Sequence, residues 1–222
     1  KVLNALVALE EGVVDAKTTI TCYSGHYYAR NQFMACMCRP GTKNNLNRGI
    51  YKSCNTYFSN VYRRIIDKDN KVEENINNWH KHLNSFGLGN YLGYDHPVGQ
   101  PGYVPNANFY NLWYPNQRWR GSTIVSNAIG QGEILMTPIQ LANVAATIAN
   151  RGFFYTPHFV KDIQGDFIDP KYKTKRATSI SKEHFTNVIE GMADVVSKGT
   201  ARVAAIRGIE VCGKTGTIEN FT

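Results

Sequence analysis

No run of about 18 apolar residues occurs in the sequence, so no segment of it reads as a membrane-spanning helix. The first residues show no charged stretch followed by an apolar core and a small-residue cleavage site, which is the pattern of a signal peptide. Cysteine is scarce: five residues, an odd number spread over the chain, do not make a disulfide framework. Zinc-finger, RNP and helix-turn-helix patterns are missing, as are repeats and low-complexity tracts, and nothing points to nucleic acid as a partner. Acidic residues are in the minority, 17 against 25 Lys and Arg, giving a net charge of +8. The basic residues read as short scattered groups, such as Arg63-Arg64 and those within 171–176. That diffuse excess suits an anionic surface or simply a solvated exterior.

What is present is the composition of a folded domain, 42% hydrophobic and 19% charged. A chain of 222 residues buries roughly 70 to 75% of the surface it exposes when unfolded. Residues 1–10 place Val2, Leu3, Leu6, Val7 and Leu9 at helical spacing, with Gly12 as a stop. No capping residue precedes Lys1, so the chain is expected to be cut from a larger domain. The β-branched stretch 209–217 reads as a strand that ends too soon for a hairpin partner, and a second truncation is expected there. Between these ends, 46–67 reads as an interrupted helix, 72–86 as an amphipathic helix closed by Gly87 and Gly89, and 93–122 as a long loop. Thr137-Pro138-Ile139-Gln140 carries a capping box with Pro at the first helical position, opening a helix that ends at Gly152. A strand or hairpin over 153–163 and a helix over 181–196, capped by Ser181, complete the reading.

Three short motifs have chemical potential. Lys214-Thr215-Gly216-Thr217 puts a cation beside two hydroxyls that share one face of an extended chain, with a glycine where a ligand can approach the backbone. Ser53-Cys54-Asn55 joins a hydroxyl able to relay a proton to an amide able to hold a substrate amide, although such tripeptides also serve as helix caps. Lys1, in the first turn of a buried helix, is a candidate base because burial lowers an ammonium pKa. Cys22, His26, Cys36 and Cys38 fall within 17 residues and supply enough soft ligands for a closed tetrahedral zinc site. The Cys36-x-Cys38 gap is tight for that purpose. A bridge from Cys22 to either neighbour, or buried unpaired thiols, are the alternatives. The aromatic residues Tyr103, Phe109, Tyr110, Trp113, Tyr114 and Trp119 either line a groove for extended substrate or pack the long loop onto the body.

A Lys opening an apolar helix, a Ser-x-Asn about fifty residues later and a Lys-Thr-Gly-Thr near the end together resemble the penicillin-binding protein transpeptidases, a family whose motifs are well known. Ile129-Gly130-Gln131-Gly132, Thr137-Pro138-Ile139-Gln140-Leu141-Ala142, Ile148-Ala149-Asn150-Arg151-Gly152, and Gly191-Met192 ahead of Gly199-Thr200-Ala201 resemble its connecting segments, in its order. Trp119 ahead of Gly130, and Asn220 after the Lys214 motif, look most like the elongation-type class B group. In the family's S-x-x-K motif Lys1 matches the Lys, so the nucleophilic Ser would lie three residues ahead of it.

The resemblance implies an α/β fold of the serine β-lactamase/transpeptidase type, an antiparallel sheet flanked by helices. Residues 1–222 would be a mostly helical part of that domain with an incomplete sheet, and the Lys214 motif would be a strand on its edge. It implies acyl transfer between peptidoglycan stem peptides, inhibited by β-lactams, with Lys1, Ser53, Asn55 and Lys214 catalytic and Thr215, Gly216, Thr217 and Trp119 binding substrate. No cofactor for catalysis is expected. A structural zinc on Cys22, His26, Cys36 and Cys38 gains weight, since some elongation-type relatives carry a metal in the corresponding segment. An N-terminal anchor at the outer face of the cytoplasmic membrane and wall-elongation membrane proteins as partners are further implications. A β-lactamase or β-lactam sensor of the same fold, and a non-catalytic scaffold, are the competing readings.

Overall fold

Helix α1 (Val2–Glu10) is apolar on almost every side, with Ala5, Leu6, Val7 and Ala8 fully buried, and a helix of that kind has to lie inside the molecule. Its polar residue Asn4 is satisfied there. Nδ2 donates to the carbonyls of Asn127 and Ala128 at 2.9 and 3.0 Å, and Oδ1 accepts from Trp79 Nε1 at 2.7 Å. The structure, a computed structural model, describes residues 1–96, 98–116, 118–162, 164 and 168–217.

The interrupted helix expected over 46–67 is two helices, α2 (Leu46–Tyr51) and α3 (Asn55–Ile66), separated by the Ser53 turn. Asn45 caps α2 by accepting from Arg48 N–H at 3.0 Å. The Cys54 thiol does the same for α3, accepting from Tyr57 N–H at 3.3 Å. Helix α3 is the centre of the core, with Tyr57, Phe58 and Tyr62 fully buried. It packs against α1, against α4 (Val72–Ser85) and against the 3₁₀ turn Val125–Ile129. Close approach is built in: a Cβ on Gly49 would lie 2.6 Å from the Tyr57 ring.

The expected loop 93–122 contains a helix, α5 (Ala107–Trp113). Its residues are indifferent helix formers, and what decides is tertiary. Asn106 caps it by accepting from Phe109 N–H at 3.1 Å, while Ala107 and Tyr110 are buried. Helix α6 (Pro138–Ala149) begins at the expected capping box, with Thr137 N–H donating to Gln140 Oε1 at 2.9 Å and Gln140 N–H donating to Thr137 Oγ1 at 3.4 Å. Helix α7 (His184–Ser197) starts later than expected. Ser181 does not cap it; its hydroxyl and N–H both bond the Glu10 carboxylate, at 3.2 and 2.7 Å.

Strands are short and antiparallel: β1 (Ile20–Cys22) pairs with β4 (Thr42–Asn44), and β2 (Gly25–Ala29) with β3 (Gln32–Ala35). β5 (Phe153–Tyr155) pairs with β6 (Lys175–Ala177). These are three two-stranded sheets, none of them central, so the fold is an α/β arrangement dominated by helices. The strand or hairpin expected over 153–163 is confined to β5, and residue 163 lies outside the described residues. The strand expected over 209–217 is not formed. β-branched residues favour extended backbone, but a strand is defined by its partner, and among the described residues the backbone pairing of this segment is an Ile206–Ile209 bridge and a bond from Gly213 N–H to Met192 O at 3.1 Å.

Candidate active site

The turn between α2 and α3 places Ser53. The N–H of Cys54 reaches back to Gly49 O at 2.9 Å and the N–H of Ser53 to Ile50 O at 3.0 Å, the two bonds of a Schellman helix end. The residue at the left-handed position of that motif is usually Gly. Here it is Ser53, with φ of +53°, a conformation that costs an L-residue about 1 to 2 kcal/mol. Strain of this kind is held only by a surround that over-determines it. That surround is α7 and the segment just after it: a Cβ on Gly191 would meet Ile50 at 2.8 Å and one on Gly199 would meet Tyr51 O at 2.5 Å.

Two lysines converge on the strained hydroxyl. Lys1, at the head of α1, donates from Nζ to Ser53 Oγ at 2.9 Å and to Ser53 O at 3.2 Å. Lys214 donates from Nζ to the same Oγ at 2.9 Å. It also donates to Thr215 O and Thr215 Oγ1 at 3.1 and 3.2 Å. A hydroxyl has two acceptor lone pairs and one proton. With both lone pairs taken, the Ser53 proton is free to point elsewhere. Burial lowers the pKa of Lys1, opposed by the sulfurs of Cys36, Cys54 and Cys38. Burial, and then the charge of Lys1, bring Lys214 down to about 8.

Lys1 and Ser53 share the wall of a cleft of about 1010 Å³ with Asn55, Gln131, Thr200, Thr215 and Thr217. Asn55 donates from Nδ2 to Ala35 O at 2.8 Å, which leaves its carbonyl oxygen for a ligand. Thr200 and Thr215 hydroxyls are 2.9 Å apart, and Gln131 Nε2 reaches Thr217 O at 3.5 Å. A Cβ on Gly216 would meet none of the described atoms within 4 Å, so its backbone faces open space. The structure thus gathers Lys1, Ser53, Asn55 and the Lys214-to-Thr217 segment. It does not bring Trp119 to them. Trp119 is buried, packed at a tilt against Tyr110 with ring centres 5.1 Å apart and donating from Nε1 to Asn111 Oδ1 at 2.8 Å, so its expected place in substrate binding is corrected to a packing role. Tyr110 is fully buried as well, while Trp113 is exposed. Asn220 lies outside the described residues. Gln131 and Thr200 were not singled out from the sequence, although each stands within a motif that was.

Directly under the Ser53 turn lies a thiol cluster. The sulfurs of Cys22, Cys36, Cys38 and Cys54 all fall within 4.8 Å of one another. This corrects the ligand set expected from sequence: His26 is replaced by Cys54. His26 turns Nδ1 to Thr56 Oγ1 at 3.3 Å, the same oxygen that Cys22 Sγ meets at 3.2 Å. The Cys36-x-Cys38 gap is no obstacle because β3 ends at Ala35 and both thiols sit in the irregular segment beyond it. The cysteines are unbridged. Four sulfurs about 2.3 Å from a zinc ion lie about 3.8 Å apart, and Cys36 and Cys54 are 3.7 Å apart. A hydrogen bond with Cys54 lowers the Cys36 pKa, while burial and the Cys36 charge push Cys38 up to about 12. The chemistry and spacing of this donor set fit a tetrahedral zinc site.

A family model described as the penicillin-binding protein transpeptidase domain matches residues 1–222. The peptidoglycan D,D-transpeptidase MrdA of Acinetobacter baumannii is 30% identical over 182 residues, which is 79% of this chain and 25% of that protein. Among solved structures, penicillin-binding protein PBP2 of Helicobacter pylori superposes with a TM-score of 0.75 at 29% identity, covering 98% of this chain and 39% of that one. A complex of PBP2 with MreC from Helicobacter pylori gives 0.73 at 28% identity, covering 96% and 37%. The chain therefore spans between a quarter and two fifths of the length of these relatives.

Proposed function

The chain belongs to the penicillin-binding protein transpeptidase domain family, and from that premise we propose that it is part of a D,D-transpeptidase that cross-links peptidoglycan stem peptides through a serine acyl-enzyme. The observation that carries the reading is the pair of lysines on one strained hydroxyl, Lys1 and Lys214 each 2.9 Å from Ser53 Oγ. The nucleophile is the Ser expected three residues ahead of Lys1. Its Oγ attacks the carbonyl of the penultimate D-alanine, and its proton passes to Lys1, whose ammonium form burial disfavours. The amide C–N bond then breaks. Ser53 gives its proton to the leaving amine of the terminal D-alanine and recovers one from the lysine pair. An acceptor amine attacks the ester in the mirror of these steps and releases the Ser. Asn55 holds the substrate amide, the Thr215 and Thr217 hydroxyls take the terminal carboxylate, and Thr217 N–H forms half of the oxyanion hole. β-Lactams enter as mimics of the D-alanyl-D-alanine end.

Cys22, Cys36, Cys38 and Cys54 would hold one structural zinc, and through Cys54 they would then steady the backbone between Ser53 and Asn55. The anchor lies outside residues 1–222, with this domain at the outer face of the cytoplasmic membrane; no helix among the described residues is long and apolar enough to span one. The partners are the wall-elongation membrane proteins that the resemblance implies, and the complex of the Helicobacter pylori relative with MreC supports a protein partner. Labelled penicillin tests the reading. A chain extended through the upstream Ser should be acylated at that Ser, and residues 1–222 alone should not. A mass shift located on any residue of 1–222 would overturn the assignment of Lys1.

A further inference from the structure

The cleft around Ser53 carries more positive charge than the proposed chemistry uses. Besides Lys1, its wall includes Arg39, Arg48 and Lys52, and no carboxylate among the described residues. Part of the charge that reads as diffuse along the sequence gathers here. Between Asp15 and Asp67 stand eight Lys and Arg and no Asp or Glu, so the other 17 basic residues balance all 17 acidic ones. Three of those eight, Arg39, Arg48 and Lys52, stand together on this wall.

None of these three cations is paired with a carboxylate among the described residues. Ion pairs among the described residues engage Arg63, Lys68, Lys71, Lys171, Lys198 and two histidines, and none engages Arg39, Arg48 or Lys52. Arg48 is held in place on Tyr51, Nη1 donating to the phenol oxygen at 3.3 Å, while its Nε is buried with no partner. Lys52 Nζ stands 5.4 Å from the centre of the same ring. Clustered like charges in a concave site draw in an anion. A planar guanidinium is matched by a planar carboxylate, which it grips through two parallel bonds.

We propose that Arg39, Arg48 and Lys52 form a subsite for a second carboxylate on the peptide acyl donor, so that the substrate class is an acidic peptide anchored at two anionic points. This rests on the transpeptidase reading. The terminal carboxylate goes to Thr215 and Thr217, and an internal or side-chain carboxylate goes to the arginine wall. An amidated donor would leave these cations unpaired. A cationic segment would be repelled by them.

The experiment uses the full-length protein and two peptides ending in D-alanyl-D-alanine, identical except that the second carboxylate is free in one and amidated in the other. Release of D-alanine gives kcat/KM for each, and labelled penicillin is run alongside. The free acid should be preferred by about tenfold, the scale of one charge-assisted pair. The ratio should fall toward one in Arg48→Gln and in the double variant Arg39→Gln, Lys52→Gln, whose two positions are exposed and whose folding is checked by thermal melting. Equal rates for the two peptides, or a preference that survives in the folded double variant, would overturn the subsite while penicillin labelling stays normal. Loss of both labelling and D-alanine release in the unmodified protein would sink the transpeptidase reading, and the subsite with it.

Discussion

Lys1 and Lys214, at opposite ends of the chain, meet on one atom: each ammonium donates to Ser53 Oγ at 2.9 Å. Two cations this close disfavour each other's protons, which is why the charge of Lys1 adds to burial in holding Lys214 near 8. The hydroxyl between them can pass a proton either way. In a chain that includes the upstream Ser, Ser53→Ala and Lys214→Ala should each slow acylation by labelled penicillin by about 10² or more, the contribution expected of a proton-transfer or electrostatic group. Near-normal labelling in either variant would remove that residue from the mechanism.

The left-handed backbone of Ser53 can be separated from its hydroxyl. Ser53→Gly and Ser53→Ala both lose Oγ and differ only in a Cβ at φ of +53°. The Gly variant should therefore be the more stable of the two by about 1 kcal/mol, although both lose the relay. Urea melts of the pair give the number. An Ala variant equal to Gly would mean that the turn relaxes and stores no strain.

The site was legible where its signals are local. The capping box at Thr137 and Gln140 needs only four residues, and the burial of α1 follows from its own apolar residues. What the sequence concealed depends on chain segments meeting. Cys54 joins Cys22, Cys36 and Cys38 because β1, β2, β3 and β4 fold the 20–44 segment against α3, and no spacing rule across 16 residues conveys that. The strand expected over 209–217 had the right side chains and lacked a partner. The run of eight cations between Asp15 and Asp67 stood in plain view; its meaning emerged only once Arg39, Arg48 and Lys52 were seen on one wall.

The depressed pKa of Lys214 has a consequence for stability. Unfolded, the group titrates near its ordinary 10.5; folded, near 8. Between these values the unfolded chain holds more protons, so stability rises with pH through that window. Below pH 8 both states are protonated and the unfavourable burial of the ammonium is fully present. Lys214→Met lacks this dependence. The stability of the unmodified protein relative to the variant should therefore climb from pH 8 to pH 10, measured by calorimetry at each pH. A difference that stays flat across that range would show that Lys214 is not desolvated in the folded state.

Asn4 ties α1, and with it Lys1, to two other parts of the core. Asn4→Ala would leave the Asn127 and Ala128 carbonyls and the Trp79 indole N–H without their partners. A loss of about 2 to 4 kcal/mol is expected from buried groups so exposed, read from the denaturant midpoint. A loss under about 0.5 kcal/mol would mean that water replaces the side chain and that α1 is held by apolar packing alone.

The thiol cluster yields the sharpest distinction between the sequence and the structure. If the sequence-derived ligand set held, His26→Ala would release the metal and Cys54→Ser would not. The geometry demands the reverse, because Cys54 Sγ stands 3.7 Å from Cys36 Sγ while His26 Nδ1 faces Thr56. Protein purified without chelator should carry about one zinc per chain by elemental analysis. Cys54→Ser and Cys22→Ser should each lose most of it and melt at a lower temperature, whereas His26→Ala should keep it. Cys54 also caps α3 and follows Ser53 directly, so the same loss should loosen the turn that presents the hydroxyl to its two lysines. That effect would appear as slower penicillin labelling after chelation, reversed when zinc is restored. Metal-free protein with an unchanged melting temperature would leave the four cysteines as buried thiols and remove zinc from the account.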